Sequence, residues 1–340
     1  MSRPEINKAL RFTSIEGDLE LTEQVIGPLS SNEILVKVKA ASINPVDLQL
    51  WRSGLVGVVA GDKGMGRDFS GTVVEVGREV KGWAAGDEVF GLLFHMFGQG
   101  TFSQYINVNP TSDPIAKRPA SLEPVAAASV PLVSLTAFAC LDWLPPLTSS
   151  QRKIIVRGAS GGAGSWVVQS ICSTRNVEYV KKLGADEVID YTNESVIDSL
   201  LAKRSGSKEY DLLVDCVGGP ELIEIYPQLL HNKGAYVTIV GDKTNPRYIG
   251  GPMTYFTHPS QIIRYIKGWI WGPRYACISM YEKSECLEKV ASLFERGELQ
   301  FPVQEVISDA FNPESQGWRR AVKLIDSQRI QGKVVLEIPQ

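Results

Sequence analysis

A glycine-rich loop follows a short apolar strand near the middle of the chain. Residues 154–156 are β-branched, and residues 158–164 have the sequence GASGGAG. Small residues at these positions let the backbone approach a pyrophosphate, and a helix that begins after the loop directs its N–H groups at the phosphates. We therefore interpret the loop as a dinucleotide phosphate site formed by Ser160, Gly161, Gly162, Ala163 and Gly164. A tight turn without a ligand is the alternative.

The polar segment after this loop arrives early. Ser173 lies only nine residues after Gly164, whereas the residue that contacts the adenosine ribose usually lies ~20 residues beyond the loop, after a helix and a second strand. The segment is thus about ten residues shorter than a complete dinucleotide-binding unit requires.

Two hypotheses account for the shortening. In the first, residues 163–183 form a single helix, the second strand of the sheet is missing or rearranged, and the strand EVIDY pairs directly with KIIVRG. Asp190 would then approach the ribose position and favour NADH. In the second, the shortened chain folds poorly and holds no dinucleotide.

The elements that must position this loop change character along the chain. The first 110 or so residues contain short β-branched or aromatic segments separated by glycine, such as ILVKVKAASI and GTVVEVG. From about Pro124 an alanine-rich helical pattern is followed by alternating strands and helices. The predicted strands are KIIVRG, EVIDY, DLLVDCV and AYVTIVG. This alternation predicts an α/β fold with a parallel sheet, and it places Gly218 and Gly241 after strands at the ligand-binding edge. Turn formation is the alternative role for these glycines.

Composition excludes several classes of function. The 340 residues are 44% hydrophobic, enough for two domains, and the 35 basic and 38 acidic residues are interspersed, so nucleic-acid binding is not expected. The five cysteines form no CxxC pair, which indicates reduced thiols. No apolar run reaches the ~18 residues of a spanning helix, and the N-terminal residues resemble neither a secretory nor a transit peptide. We expect a cytoplasmic protein.

Seven phrases in order give the chain a family resemblance. They are ASINPVD, GRDFSGTVVEVG, GDEVFG, PLVSLTAF, GASGGAG, DCVGG and GKVVL. Together they resemble the zinc-free, quinone oxidoreductase-like branch of the medium-chain dehydrogenase/reductase superfamily, including its fungal and animal reticulon-interacting-protein-like members. The resemblance implies a GroES-like, β-rich catalytic domain at residues 1–125 and 275–340. It also implies a Rossmann cofactor domain, with a doubly wound parallel sheet, at residues 126–274, and a site in the cleft.

The same resemblance implies the cofactor contacts. Ser173 and Arg175 are similar to a clamp for the 2′-phosphate, which favours NADPH over NADH. Thr136, in SLTAF, resembles a residue near the nicotinamide ribose. The alternatives are a solvated helix position for Arg175 and helix capping for Thr136.

Zinc chemistry is not expected. A zinc site needs three or four converging ligands. Zinc-dependent members of the superfamily have a cysteine where this chain has Asn44, and a GHE triplet where it has residues 66–68, and the three histidines are scattered. Asn44 is the candidate to polarise a substrate carbonyl. Arg67 is a second candidate on the substrate side, and an internal ion pair between Arg67 and Asp68 is the alternative.

The expected activity is hydride transfer from NADPH to a quinone or an α,β-unsaturated carbonyl. The alternative is a non-catalytic, cofactor-binding or lipid-surface scaffold. Residues 254–273 carry five aromatic rings among basic residues. They are consistent with a substrate channel, a homodimer contact, a peripheral membrane or lipid-droplet contact, or an amphipathic helix that covers the sheet.

Overall fold

The computed structural model describes residues 5–12, 14–52, 63–95, 98–146, 152–166, 170–172, 176–203, 210–243, 245, 247–299 and 301–340. Its chain divides into two compact units. The first comprises Met1–Leu135 and Glu282–Gln340, and the second comprises Thr136–Tyr281.

The first unit is built mainly from antiparallel strands. Its described strands are β1 (Ile6–Phe12), β2 (Glu20–Val25), β3 (Ile34–Ile43), β4 (Lys63–Gly64), β5 (Asp68–Val76), β6 (Glu88–Leu92), β7 (Tyr105–Val108), β8 (Ile115–Lys117), β15 (Val303–Ile307) and β16 (Lys333–Glu337). One sheet has the order β2-β1-β4, and a seven-stranded sheet has the order β15-β16-β3-β5-β6-β8 with β7 also paired to β3. The start of β16, the end of β3 and the start of β5 therefore meet, since Val334 pairs with Ile43, and Ser42 pairs with Asp68.

Helices flank these sheets. They are α1 (Pro45–Arg52), α2 (Pro124–Ala128), α3 (Pro131–Leu141), α9 (Ser284–Glu295) and α10 (Gly317–Asp326). The alanine-rich pattern, predicted as one helix, is divided between α2 and α3, because α2 ends at Ala128 and Pro131 begins the next helix. α3 starts in the first unit and ends in the second.

The second unit contains a six-stranded parallel sheet. Its strands are β9 (Ile154–Arg157), β10 (Ser170–Cys172), β11 (Val188–Asp190), β12 (Tyr210–Asp215), β13 (Leu230–Thr238) and β14 (Arg274–Cys277). Their spatial order, β11-β10-β9-β12-β13-β14, is the order 3-2-1-4-5-6 of a Rossmann sheet. The predicted α/β fold with a doubly wound sheet is therefore confirmed.

The prediction that the second Rossmann strand is missing is wrong. β10 lies between β9 and β11 and pairs with both in parallel, and Cys172 is in register with Asp190. Twelve residues, 158–169, join β9 to β10, which is about the shortest connection that parallel strands allow. The chain keeps the strand, which satisfies backbone groups of β9 and β11, and shortens the connection instead. Residues 163–183 do not form one helix, since β10 interrupts them.

Helices and short turns complete the second unit. The α-helices are α4 (Val177–Lys182), α5 (Val196–Lys203), α6 (Glu221–Leu229), α7 (Thr254–Thr257) and α8 (Ser260–Trp271), and 3-10 turns lie at Gly164–Trp166 and Gly251–Met253. Alternate strand residues enter two separate apolar clusters, for example Val156 with α3 and α4, and Ile155 with α5 and α6. Both faces of this part of the sheet are therefore buried, as expected of a parallel sheet.

Within the described ranges, we find no helix whose length and apolar composition would let it cross a bilayer.

Candidate functional site

Three neighbouring strands of the parallel sheet end in glycine turns at the same edge. Gly158 follows β9, Gly218 follows β12 and Gly241 follows β13, with φ values of +83°, +83° and +78°. These left-handed conformations favour glycine. The edge lies at the carboxyl ends of the strands, and the strand order reverses between β9 and β12, which is where open α/β sheets bind ligands.

Two of these turns are held by the same device. The Asp215 carboxylate, at the end of β12, accepts hydrogen bonds from the backbone N–H groups of Val217 and Gly218, both at 2.9 Å. The Thr238 hydroxyl, at the end of β13, accepts from the N–H groups of Val240 and Gly241 at 3.1 and 3.0 Å. Because a short side chain satisfies two backbone donors, the chain turns sharply at the end of each strand.

The loop at residues 158–164 is tightly packed on one side and open on the other. A Cβ atom on Gly164 would lie 2.3 Å from the Gly158 carbonyl oxygen, so only glycine fits there. A Cβ atom on Gly161 would meet nothing nearer than 3.4 Å. The loop is ordered by the N–H of Gly161 donating to Gly158, and by the Trp166 N–H donating to Ala163. This arrangement fits the close approach of a pyrophosphate from the Gly161 side.

Two side chains brace the same loop. The Asn176 amide donates to the Ser160 hydroxyl at 2.8 Å, and Asn176 is buried. The Ser165 hydroxyl donates to the carbonyl oxygen of Gly162 at 2.8 Å. The Ser160 hydroxyl is thus tied to the start of α4.

The segment after the loop differs from a complete dinucleotide-binding unit. The loop runs into a three-residue 3-10 turn, Gly164–Trp166, and β10 begins four residues after that turn ends. Ser173 and Arg175, the predicted 2′-phosphate clamp, lie outside the described residues. In the sequence they follow β10 directly.

Asp190 does not lie beside the first strand, as its approach to the ribose position would require. It ends β11, with β10 between it and β9. Its carboxylate accepts hydrogen bonds from the Thr192 N–H at 3.0 Å and from the Asn193 amide at 2.8 Å, so it caps its own turn. The predicted approach of Asp190 to the ribose, and with it the shift toward NADH, depended on a missing strand and is therefore wrong.

Arg157 joins two of the glycine turns and was not predicted. One guanidinium nitrogen donates to the Gly218 carbonyl oxygen at 2.7 Å and lies 3.7 Å from the Asp215 carboxylate, and another donates to Glu221 at 2.5 Å. The sequence signal that could have identified Arg157 is a positively charged residue at the end of an apolar strand, directly before a glycine-rich loop. Arg157 fixes the turn after β12 relative to β9.

Thr136 lies in α3 and is only 5% exposed. Its expected contact with a nicotinamide ribose stays a prediction.

The first unit contains a buried polar cluster around Asp68. The Asp68 carboxylate accepts hydrogen bonds from the Ser42 hydroxyl at 2.7 Å, the Asn44 amide at 2.9 Å, the Lys333 ammonium at 2.8 Å and the Leu132 N–H at 2.8 Å. Four residues of this cluster are buried, each at most 4% exposed: Ser42, Asn44, Asp68 and Lys333. Four donors, one of them charged, compensate for the burial of the carboxylate.

The Asn44 amide, expected to face a substrate carbonyl, instead has protein partners on both sides. Its nitrogen donates to Asp68, its oxygen accepts from Lys333 at 2.5 Å, and the residue is 1% exposed. In this arrangement Asn44 positions the cluster.

The ion pair predicted between Arg67 and Asp68 is replaced by another. Asp68 pairs with Lys333, while the Arg67 guanidinium donates to the carbonyl oxygens of Gly64 and Gly66 at 3.3 and 2.7 Å. Lys333 was missed because 265 residues separate it from Asp68. The sequence did contain a signal for Lys333, because it begins the apolar strand KVVLE. Such a strand is buried on both faces, so a lysine in it needs a buried partner.

Asp47 is a second buried carboxyl group in the first unit, and its pKa is raised. Burial raises the pKa of Asp47 to about 6, and the nearby charge of Arg67 and the N–H of Asn44 act in the opposite direction. One carboxylate oxygen accepts from the Asn44 N–H at 2.7 Å, and the other has no hydrogen-bond partner among the described residues. Burial likewise lowers the pKa of Arg67. Asp47 can therefore exchange a proton near neutral pH.

His95 and Asp113 form a hydrogen-bonded pair. The His95 imidazole lies 2.7 Å from the Asp113 carboxylate, and this hydrogen bond raises the pKa of His95. The loop that carries His95 is anchored where the N–H of Leu93 donates to the Arg67 carbonyl oxygen.

In the part of the chain that the structure describes, no three His, Cys, Asp or Glu side chains are grouped to bind a metal ion. The cation that contacts Asn44 and Asp68 is the Lys333 ammonium.

Comparison with known proteins places this geometry in a family. The model described as the alcohol dehydrogenase GroES-like domain matches residues 30–119, and the model described as zinc-binding dehydrogenase matches residues 183–336. The bovine protein named NAD(P)H oxidoreductase RTN4IP1, mitochondrial (Bos taurus), is 30% identical over 94% of this chain and 86% of its own length. The chain belongs to the medium-chain dehydrogenase/reductase superfamily.

Further similarities specify the branch of the superfamily. The chloroplast envelope quinone oxidoreductase homolog of Arabidopsis thaliana is 30% identical over 97% of this chain and 98% of its own length. A quinone oxidoreductase from Escherichia coli, solved in complex with NADPH, shares the fold with a TM-score of 0.73 at 24% identity, over 98% of this chain and all of the other. The predicted quinone oxidoreductase-like branch of this medium-chain family is confirmed, and the chain belongs to a family of oxidoreductases.

Proposed function

We propose that this chain is a zinc-independent reductase that uses NADPH to reduce a quinone or an α,β-unsaturated carbonyl. The observation that carries the proposal is the complete 3-2-1-4-5-6 sheet with glycine turns after β9, β12 and β13 at its carboxyl edge. The relatives named as NAD(P)H and quinone oxidoreductases support it.

The residues at this edge fit a dinucleotide. Gly161 leaves room for a pyrophosphate, and the backbone of Ser160, Gly162, Ala163 and Gly164 forms the rest of the loop. Gly218 and Gly241 form the sharp turns that follow β12 and β13, and we place the nicotinamide half of the cofactor beside these turns. Thr136 is the proposed partner of its ribose.

Retention of β10 supports NADPH over NADH. Ser173 and Arg175 follow β10 in the chain, where the second strand of a Rossmann sheet leads to the adenosine ribose. A hydroxyl and a guanidinium are the groups that bind a 2′-phosphate.

The buried cluster supports zinc independence. The Lys333 ammonium already supplies the positive charge that neutralises Asp68, and it also donates a hydrogen bond to the Asn44 side-chain oxygen. Within this proposal Asn44 and Arg67 are positioning residues of the substrate-side unit.

The substrate classes share one chemistry, because a quinone is itself an unsaturated carbonyl compound. When bound, NADPH supplies a hydride. One hydride and one proton convert an enone to the saturated ketone, or a quinone to the hydroquinone. Binding and orientation can account for much of such a reaction.

Steady-state turnover with a naphthoquinone and with a simple enone tests the proposal. We expect Arg175→Ala to raise the KM for NADPH by about tenfold or more, with a smaller effect on the KM for NADH, because a bidentate charged contact to the 2′-phosphate is lost. Arg78→Ala, at a side chain that is 85% exposed in the other unit, is the matched control and should change neither. Cofactor binding without turnover of either substrate class would overturn the reductase proposal.

A non-catalytic scaffold is the second candidate function. The short connection favours it, since Gly164–Trp166 is a single 3-10 turn rather than the long helix whose N-terminus helps to bind phosphate. Turnover of a quinone or enone by the purified chain would exclude it.

We also propose a cytoplasmic location. Cys140, Cys216, Cys277 and Cys286 are free thiols, which supports a reducing compartment. Imaging of the tagged full chain tests this, and an organellar distribution would contradict it.

A further inference from the structure

The helix α8 is oriented with its polar side toward the protein. Gln261 and Gly268 are its buried residues, and Arg264 between them is partly buried. These positions are spaced i, i+3 and i+7, so they form one stripe of the helix. An amphipathic helix of a globular protein usually buries its apolar stripe instead.

Specific polar contacts fix this orientation. The Gln261 amide donates to the Thr254 hydroxyl at 3.0 Å and accepts from the Tyr275 hydroxyl at 2.8 Å. Arg264 pairs with Asp242 and stacks over the Tyr275 ring at 4.8 Å. A Cβ atom on Gly268 would lie 2.8 Å from the Pro273 carbonyl oxygen, so the helix approaches the chain near β14 closely at that point. Rotation of α8 would break these contacts.

The outward side of α8 is consequently apolar. It presents these side chains, each between 46% and 67% exposed: Ile262, Ile263, Ile266, Trp269, Ile270 and Trp271. Phe256 of the neighbouring helix α7 is 84% exposed. We call these seven side chains the α8 face. Exposed apolar surface of this kind marks an interaction site.

The charge of the chain segment that carries the α8 face is one-sided. The sequence contains no Asp or Glu from Lys243 to Tyr281, whereas it contains five Lys or Arg residues in that stretch. Lys267 is exposed within the helix itself, and Arg247 is exposed before it. Asp242 neutralises only Arg264.

We propose that the α8 face binds the surface of an anionic phospholipid bilayer, with the helix lying in the plane of the interface. Isoleucine side chains would enter the acyl boundary, the two indoles would lie at the level of the headgroups, and Lys267 would contact lipid phosphates. This goes beyond the reductase activity and does not depend on it.

Charge favours a lipid surface over a second copy of the chain. In a twofold symmetric contact, the α8 face would meet the same residues of its copy. Lys267 would then be buried against a segment that supplies cations and no carboxylate. Self-association is therefore the competing outcome of the test.

Co-sedimentation with phosphatidylcholine vesicles, with and without phosphatidylserine, tests the proposal on the full chain. We expect binding to the vesicles that contain phosphatidylserine, and weaker binding at high salt. Trp269→Ala/Trp271→Ala should weaken the partition constant by about tenfold or more, because two large apolar groups no longer enter the interface. Tyr191→Ala, at an exposed aromatic residue outside α8, is the matched control and should bind as the unmodified chain does.

A second variant keeps the test independent of the indoles. Lys267→Glu should reduce the preference for phosphatidylserine while leaving the apolar residues in place. Failure of the unmodified chain to bind phosphatidylserine vesicles, or equal binding by the double variant, would overturn the proposal. So would sedimentation velocity that shows a dimer converted to a monomer by Trp269→Ala/Trp271→Ala, without vesicle binding by either protein.

Discussion

Lys333→Met would remove the only charged donor to the Asp68 carboxylate among its described hydrogen-bond partners. The two groups lie 2.8 Å apart, and their side chains are 4% and 0% exposed. Methionine has a similar length and fills the space of the lysine stem, so the change isolates the charge and its hydrogen bonds. The Asn44 oxygen would lose its partner at the same time.

The expected cost is large because the remaining carboxylate stays buried. Removal of one partner of a buried ion pair typically costs roughly 3–5 kcal/mol, as the other charge is left uncompensated. Ser42, Asn44 and Leu132 still donate to Asp68 after the substitution. We therefore expect the lower part of that range, about 3 kcal/mol.

Urea unfolding with linear extrapolation measures the effect. Lys117→Met is the control, because the Lys117–Asp87 pair has a similar separation of 3.2 Å but the lysine side chain is 62% exposed. It should cost about 1 kcal/mol or less. Asp68→Asn combined with Lys333→Met should cost less than Lys333→Met alone, since no buried charge is then left unpaired. Equal costs for Lys333→Met and Lys117→Met would show that burial does not make the Asp68–Lys333 pair more costly to break than an exposed pair.

Two further predictions concern single residues. Burial raises the pKa of Asp47 from 3.8 to about 6, so the folded chain retains a proton that the unfolded chain releases between these pH values. The free energy of unfolding, relative to Asp47→Asn, should therefore fall by about 3 kcal/mol as pH rises through this interval, and a flat difference in urea titrations would contradict this. Gly241→Ala places a Cβ atom 2.1 Å from the Thr254 hydroxyl at φ +78°, whereas Gly219→Ala meets nothing within 4 Å at φ +95°. Both should lose about 1 kcal/mol to backbone strain, and only Gly241→Ala should lose roughly 1–3 kcal/mol more in thermal unfolding; equal losses would exclude the clash.

Local patterns predicted most of the elements of the second unit. KIIVRG, EVIDY, DLLVDCV and AYVTIVG correspond to β9, β11, β12 and β13, because β-branched runs bounded by glycine are typical of buried parallel strands. The positions of Gly218 and Gly241 after their strands also followed from sequence. These strands and turns could be predicted because they are determined by residues that are adjacent in the sequence.

The second strand could not be predicted from length alone. Counting from Gly164 suggested that a helix and a strand could not both fit, and the prediction then removed the strand. The structure keeps β10 and shortens the connection, since pairing on both sides satisfies backbone groups that a missing strand would leave open.

Contacts between distant segments were also beyond the sequence. The Asp68–Lys333 pair joins residues far apart in the chain, so the nearer Arg67 was chosen as its partner. The pattern of α8 predicted an amphipathic helix but not its rotation. Apolar periodicity implies an inward apolar stripe, whereas Gln261, Arg264 and Gly268 place the polar stripe inward.

Cofactor affinity shows directly whether the glycine turns at the edge of the parallel sheet form an NADPH site. Titration of the purified full chain with NADPH and with NADH, followed by the fluorescence of the reduced nicotinamide, gives both dissociation constants. We expect NADPH to bind, and to bind about tenfold or more tightly than NADH, because the segment after β10 provides a hydroxyl and a guanidinium for the 2′-phosphate. Absence of NADPH binding, or equal affinity for the two cofactors, would contradict it.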